Sequence, residues 1–225
     1  MNTLNSTIGV LLTVLSIGSS PNAPPGMYTF GDARLARRLA PEDLIAIAEA
    51  ARVRGGVPWA VCVQYSQVLP ERWYVDAFLR PSVTTSNIRR GRVLHLQCSP
   101  AKGRRGCLEW IPSQRRKAGT YVQVADGKDF GRPLAPRSVH ERPIDVEGDL
   151  ADDDLVSLVN YLRTGPAPTT KSLGLSRNEP IMSIRLRKDA AVDVNLSRDG
   201  GSGQFATLVR VDGTWKLVKV SFWVT

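Results

Sequence analysis

The sequence predicts an α+β fold, with helices packed on an antiparallel β-sheet, and the order of its elements allows two α-ββββ units in tandem. Residues 149–166 have the apolar spacing of an amphipathic helix. Short segments rich in β-branched and aromatic residues recur on both sides of it, separated by Gly, Pro, Ser and Asn. The tandem arrangement is suggested by residues 43–52 and 154–163, which share an Asp, a Leu and an Arg at matching positions and are each followed by strand-like segments, although two unrelated units could match this well by chance.

The first 26 residues have the pattern of a signal peptide and linker. Their apolar run at 8–17 is shorter than the roughly 20 residues of a membrane span, and small residues and a Pro-rich stretch follow it. No Lys or Arg precedes Arg34, so the usual basic start is missing, and a buried helix or strand of the fold is the alternative. The pattern favours cleavage after Gly18 and a secreted or periplasmic location.

Residues 27–140 and 141–225 are predicted as two α+β units that can share one domain. The first unit begins with a helix at 41–54, because a Pro, a Glu and an Asp suit its first turn and a Gly-Gly pair suits its end. Its strands are predicted at 59–65, 73–79, 93–98, 108–111 and 121–125.

The helix at 149–166 has the strongest pattern in the chain. One stripe of large apolar side chains predicts that one helix face is buried in a core. Asp149 or Asp152 is placed to cap the first turn, and Gly165-Pro166 suits the end of the helix. The stripe consists of Leu155, Leu158, Val159 and Leu162.

Four strands are predicted after this helix. The last two are joined through Asp212-Gly213, a pair typical of a type I′ hairpin turn. The final strand carries apolar side chains on both faces, which predicts a central or well-covered position in the sheet. The predicted ranges are 181–187, 192–196, 205–211 and 215–224.

The final segment, VDGTWKLVKVSFWV, resembles the closing strands of nuclear-transport-factor-like and cystatin-like folds. Those folds commonly end with a turn, a Trp and an alternating apolar strand. The resemblance is confined to the end of the chain. It implies a scaffold that serves in binding proteins, including inhibitors and immunity proteins, as often as in enzymes.

The basic residues lie mainly in the first part of the chain. Residues 1–140 hold 19 basic and 9 acidic residues, a net charge of +10, whereas residues 141–225 hold 11 and 12, a net charge of −1. A solvated basic face accounts for such an excess without any ligand. If the excess is functional, it favours an acidic protein or an anionic envelope component as the partner.

Three clusters of basic residues are predicted at the ends of hairpins. Base-stacking aromatic residues are sparse around them, with only Trp110 and Tyr121 nearby, so nucleic acid is not predicted as a partner. The residues predicted to bind the partner are Arg89, Arg90 and Arg92, then Arg104 and Arg105, then Arg115 and Arg116.

The cysteines fit an oxidising compartment. Cys98 and Cys107 bracket the Gly- and Pro-containing segment SPAKGRRG, so the two ends of this segment are predicted to be joined by a disulfide. Cys62 remains as an unpaired thiol and is predicted to be a small buried side chain rather than a reactive one.

No catalytic residue, metal site, cofactor or membrane span is predicted. The chain has only two histidines, His95 and His140, and it lacks the motifs HExxH, GxSxG, GxGxxG and GxxxxGK[ST]. His95 and Cys98 lie three residues apart on one predicted strand, so their side chains point to opposite faces and do not form a catalytic pair.

Two functions follow from these patterns. The first is a secreted or periplasmic, non-catalytic binding protein of the inhibitor or immunity type, which uses basic loops against an acidic partner. The alternative is an envelope hydrolase whose site uses the scattered carboxylates of Asp76, Glu109 and Asp193. The oligomeric state is left open.

Overall fold

A computed structural model describes residues 27–31, 39–64, 73–84, 87–98, 109–114, 116–124, 142–165, 174–176, 179–197 and 202–224. Within these residues, twelve strands form one mixed sheet that is accompanied by two helices. The helices are α1 (Pro41–Val53) and α2 (Asp152–Thr164). The strands are β1 (Tyr28–Gly31), β2 (Pro58–Gln64), β3 (Trp73–Leu79), β4 (Val83–Thr84), β5 (Ile88–Cys98), β6 (Ile111–Pro112), β7 (Gly119–Val124), β8 (Ile144–Glu147), β9 (Ile181–Leu186), β10 (Val192–Leu196), β11 (Ser202–Val211) and β12 (Thr214–Val224).

The main path of the sheet runs in the order β1-β2-β3-β5-β7-β8-β9-β10-β11-β12, and the short strands β4 and β6 pair with β5. Most neighbouring strands are antiparallel, but β1 pairs with β2 in parallel and β8 pairs with β9 in parallel. A helix lies in the described part of the connection between the strands of each parallel pair, since parallel neighbours need a crossover rather than a tight turn.

The predicted fold class, with helices on antiparallel sheets in tandem α-ββββ units, is wrong. The described residues form one large mixed sheet with only two short helices, and β7 pairs with β8 through Thr120, Tyr121 and Val122. Hydrogen bonds therefore continue across the predicted boundary at residue 140. The sequence reading also missed β1 and β8, because a strand of four residues is too short to show a readable alternation.

Both predicted helices are confirmed, although the expected cap of α2 is not. The first turn of α1 uses Asp43, whose carboxylate accepts a hydrogen bond of 2.9 Å from the backbone N–H of Ala40. In α2 the N-cap residue is Ala151, which provides no side-chain cap. Asp152 instead accepts a bond of 2.5 Å from Nε of Arg90, so this carboxylate attaches the helix to β5.

Both helices pack on the same face of the sheet, called the helix face below. Leu94 and Leu96 of β5 lie in the core under α1, whereas Ile88 of the same strand lies in the core under α2. These three positions differ by even numbers, so they point to one side of the strand. The predicted stripe of α2 is buried in its core as expected.

The opposite face of the sheet, formed by the alternate strand positions, curves inward over β2 to β7. The Nε1–H of Trp59 on β2 donates a bond of 2.8 Å to the hydroxyl of Tyr121 on β7. Strands β3 and β5 lie between these two, and neighbouring strands are about 4.8 Å apart in a sheet. A direct contact across that span requires a strongly curled, concave face.

Gly91 on β5 makes room for the Tyr121 ring on this concave face. A Cβ atom at Gly91 would lie 2.5 Å from the ring. The Tyr121 hydroxyl donates to the carbonyl oxygen of Leu79 at 2.6 Å, and Phe78 meets the ring edge-on at a centroid distance of 5.3 Å. The close approach explains why a glycine stands in the middle of a long strand.

The last strand occupies an unexpected position. The type I′ turn is confirmed, since both Asp212 and Gly213 have positive φ angles of 49° and 76°. However, β12 lies at the end of the described sheet and not at its centre. Val218, Phe222 and Val224 are exposed, so the apolar residues on both faces did not indicate a covered strand.

Candidate functional site: an open groove beside a buried ion network

Three side chains form a row across the concave face. Cys62 on β2 is paired in register with Asp76 on β3, which is paired with His95 on β5. All three are buried, with relative exposures of 1, 5 and 6%. Strand alternation at these positions therefore places a thiol, a carboxylate and an imidazole side by side.

His95 joins two carboxylates and an arginine into one ion network. Its Nδ1 lies 2.6 Å from Oδ1 of Asp76, and its Nε2 lies 3.9 Å from Oδ2 of Asp145 on β8. Arg116 contacts both carboxylates, with its Nη1 at 3.5 Å from Oδ2 of Asp76 and its Nη2 bonded to Asp145. Buried polar groups need such partners, so Asp76, His95 and Asp145 are paired with one another and with the more exposed Arg116.

The carboxyl group of Asp145 has a raised pKa. Burial is the main cause, because it disfavours the charged form, while the positive charges of Arg116 and His95 act in the opposite direction. The negative charge of Asp76 adds to the increase. Asp145 therefore binds its proton more tightly in the folded protein than in the unfolded chain.

This pKa shift predicts a specific pH dependence for Asp145→Asn. The contribution of Asp145 to stability is fully present below its unfolded value of 3.8 and is lost as the pH rises through the raised folded value. The variant, which does not titrate here, should therefore gain stability relative to the wild type as the pH increases. Urea unfolding of both proteins from acid to neutral pH measures this difference. A variant that instead loses stability relative to the wild type as the pH rises would contradict the raised pKa of Asp145.

Cys62 is not an activated nucleophile. Burial raises the pKa of its thiol to about 11, although Arg142, whose Nη2 lies 3.7 Å from the sulfur, partly lowers it. The thiol is protonated at neutral pH, and the thiolate is the reactive form of cysteine. In addition, Asp76 stands between Cys62 and His95 in the row, so the imidazole is not next to the sulfur.

The ion network opens into a groove of about 460 Å³ on the same face of the sheet. Part of its floor is a row of residues, paired in register, in which acidic and basic side chains alternate. This row consists of Glu147 on β8, Arg185 on β9, Asp193 on β10, Thr207 on β11 and Lys219 on β12.

Most charges of this row are already paired. Arg185 bonds Glu147 at 3.2 Å, and Asp193 accepts a bond of 2.8 Å from the hydroxyl of Thr207. Lys219, at the outer end, forms no ion pair with any described residue. The row therefore leaves one cationic group available to a ligand.

A second row lies parallel to the first and is mostly uncharged. It begins at Asp145, continues through Ser183 and Asn195, and ends at Phe205 and Ser221. Trp223, next to it, donates a bond of 3.1 Å to Oδ1 of Asn195, and its ring centroid lies 6.1 Å from that of Phe205. Asp145 and Arg116 belong to both the groove and the buried network, so the two features are continuous.

The structure places the predicted arginines of the first cluster within β5 rather than at the end of a hairpin. Arg89 is buried, 3.4 Å from Oε1 of Gln123, and Arg90 bonds Asp152 and the carbonyl of Leu150. Arg92 is exposed on the helix face. The three side chains thus do not form one surface, and two of them connect parts of the fold.

Several other predicted residues lie outside the described part of the chain. These are Arg104, Arg105, Cys107, Arg115 and His140. Among the predicted basic residues that are described, Arg116 is the one that lines the groove. Cys98 is buried on the helix face, and its pairing with Cys107 stays a prediction.

The carboxylates of the alternative hydrolase site do not share a cavity among the described residues. Asp76 belongs to the buried network, Asp193 lines the groove, and Glu109 is exposed beside β6. No group of three or more His, Cys, Asp or Glu side chains within the described ranges is arranged to hold a metal ion.

Most groove residues were missed by sequence reasoning. The available signal was the alternation of polar residues in IMSIRL and VDVNL, which marks one face of each strand as polar.

None of the helices in the described part of the chain is long and apolar enough to cross a membrane. No family model, curated protein or solved structure matches this chain.

Proposed function

We propose that this chain is a secreted or periplasmic, non-catalytic binding protein of the inhibitor or immunity type that holds an acidic partner segment in the groove. The observation that supports the proposal most is an open groove in which the cationic Lys219 has no ion-pair partner among the described residues. The groups that usually supply chemistry are not presented to a ligand, since His95 is buried with its two ring nitrogens facing Asp76 and Asp145, and the thiol of Cys62 is protonated.

An acidic partner fits the charge balance of the groove. Its acidic side chains have partners in the fold, because Asp145 bonds Arg116, Glu147 bonds Arg185, and Asp193 bonds Thr207. Lys219 adds a positive charge that pairs with no residue in the described part of the chain. The basic groove residues are Arg116, Arg185, Arg187 and Lys219, and the acidic ones are Asp145, Glu147 and Asp193.

The test compares Lys219→Glu with Lys216→Glu, using a short oligoglutamate peptide as the probe. Both lysines are exposed on β12, but only Lys219 lines the groove. We expect Lys219→Glu to weaken binding by about tenfold at low salt, since it replaces attraction by repulsion. Lys216→Glu should change binding less, because Lys216 does not line the groove.

Backbone amide shifts on addition of the peptide locate the site. Shifts at Ser183, Thr207 and Ser221 would support binding of the peptide in the groove. Equal losses in both variants would show that the peptide responds only to net charge, which contradicts the proposal. The predicted export is tested separately, because native protein with an intact Met1 would contradict it.

A further inference from the structure

A second pocket, of about 270 Å³, lies on the helix face where α1 ends. Its floor is apolar and is formed by Gly56, Val57 and Leu79, while Arg80 and Arg92 stand at its rim with Ser82. The pocket is separate from the groove, because Arg92 lies at a helix-face position of β5.

Backbone hydrogen bonds hold the rim in place. The N–H of Arg80 donates to the carbonyl of Val57 at 3.0 Å, which fixes β3 to the start of β2. The N–H of Ser82 donates to the carbonyl of Arg90 at 2.9 Å, which fixes the following segment to β5. The backbone segments that line the pocket are therefore held to one another by hydrogen bonds.

The two rim arginines lack the partners that other arginines have. Among the described residues, only Arg52, Arg80 and Arg92 have guanidinium groups that form no hydrogen bond or ion pair. Two of these three line this one pocket, and the described residues that line it include no Asp or Glu. Two like charges beside an apolar floor repel each other unless an anion lies between them.

We propose that this pocket binds the C-terminal carboxylate of a peptide whose last side chain is aliphatic. Guanidinium groups bind a carboxylate through paired N–H donors, and Arg80 and Arg92 supply them on the rim. The apolar floor of Val57 and Leu79 suits the aliphatic side chain. The volume is below that of common small-molecule sites, which begin at about 300 Å³, so it suits a single terminal residue.

The experiment titrates the full chain with N-acetyl-leucine, a mimic of such a terminus, and follows backbone amide signals. We expect saturable shifts at Gly55, Gly56 and Ser82. N-acetyl-leucinamide, which lacks the charge, should bind at least about tenfold more weakly. N-acetyl-glutamic acid α-amide carries its carboxylate on the side chain. Equal binding of this compound would overturn the assignment to a chain terminus.

Substitutions distinguish binding in this pocket from a general effect of the protein's charge. Arg80→Gln and Arg92→Gln should each weaken N-acetyl-leucine binding by at least about fivefold. Arg52→Gln, which removes the same charge from the last turn of α1, should change it less than about twofold. No saturable shift in the wild type, or equal losses in all three variants, would overturn the proposal. Lys219→Glu should leave this binding intact, so failure of the groove proposal is distinguishable from failure here.

Discussion

Tyr121→Ala is expected to lower the free energy of unfolding by about 3–5 kcal/mol. The side chain is fully buried, and its ring contacts Phe78 and fills the space above Gly91. Its removal leaves a cavity and also leaves the Nε1–H of Trp59 and the carbonyl of Leu79 without their bond to the hydroxyl. Urea unfolding followed by tryptophan fluorescence measures the loss.

Tyr121→Phe is the matched control, because it keeps the ring and removes only the hydroxyl. We expect it to cost about 1–3 kcal/mol, the range for leaving buried polar groups unpaired. In combination with Trp59→Phe, the two costs should be less than additive, since both changes remove the same bond. Full additivity, or a loss below about 1 kcal/mol for Tyr121→Ala, would contradict the role of Tyr121 in holding the curled face.

Leu158→Ala is expected to cost about 2–5 kcal/mol, which is the range for truncating a buried leucine. Leu158 has no exposed surface and lies in the core between α2 and the sheet. Asn160→Ala on the same helix is the control, because Asn160 is exposed and Ala has a higher helix propensity. A thermal unfolding experiment in which both variants melt alike would show that the stripe of α2 does not support the fold.

Elements with local signals could be predicted from the sequence. The stripe of α2 repeats with helical spacing within one segment, and the Asp212-Gly213 turn depends on two adjacent residues with positive φ. In contrast, the row of Cys62, Asp76 and His95 depends on the register of three strands. Register is set by tertiary pairing, so no spacing in the chain reveals it.

The basic cluster in β5 shows how composition can mislead. Two arginines, a glycine and a third arginine read as a loop tip, because glycine commonly marks a turn. In the structure Gly91 leaves room for the Tyr121 ring. Strand alternation places Arg89 and Arg90 on opposite faces of the sheet. The groove was equally hidden, since Asp145 lies on β8, whose short length gave no strand signal.

The strand pairs also differ in the loop-closure entropy that their formation costs during folding. Strands β11 and β12 are joined by only Asp212 and Gly213, so closing that hairpin fixes little chain. Strand β1 reaches β2 only after the whole of α1 has been traversed, and β8 reaches β9 only after α2. Because contacts that close long loops cost more entropy, we expect the hairpin at the C-terminal end of the sheet to form ahead of the parallel pairings.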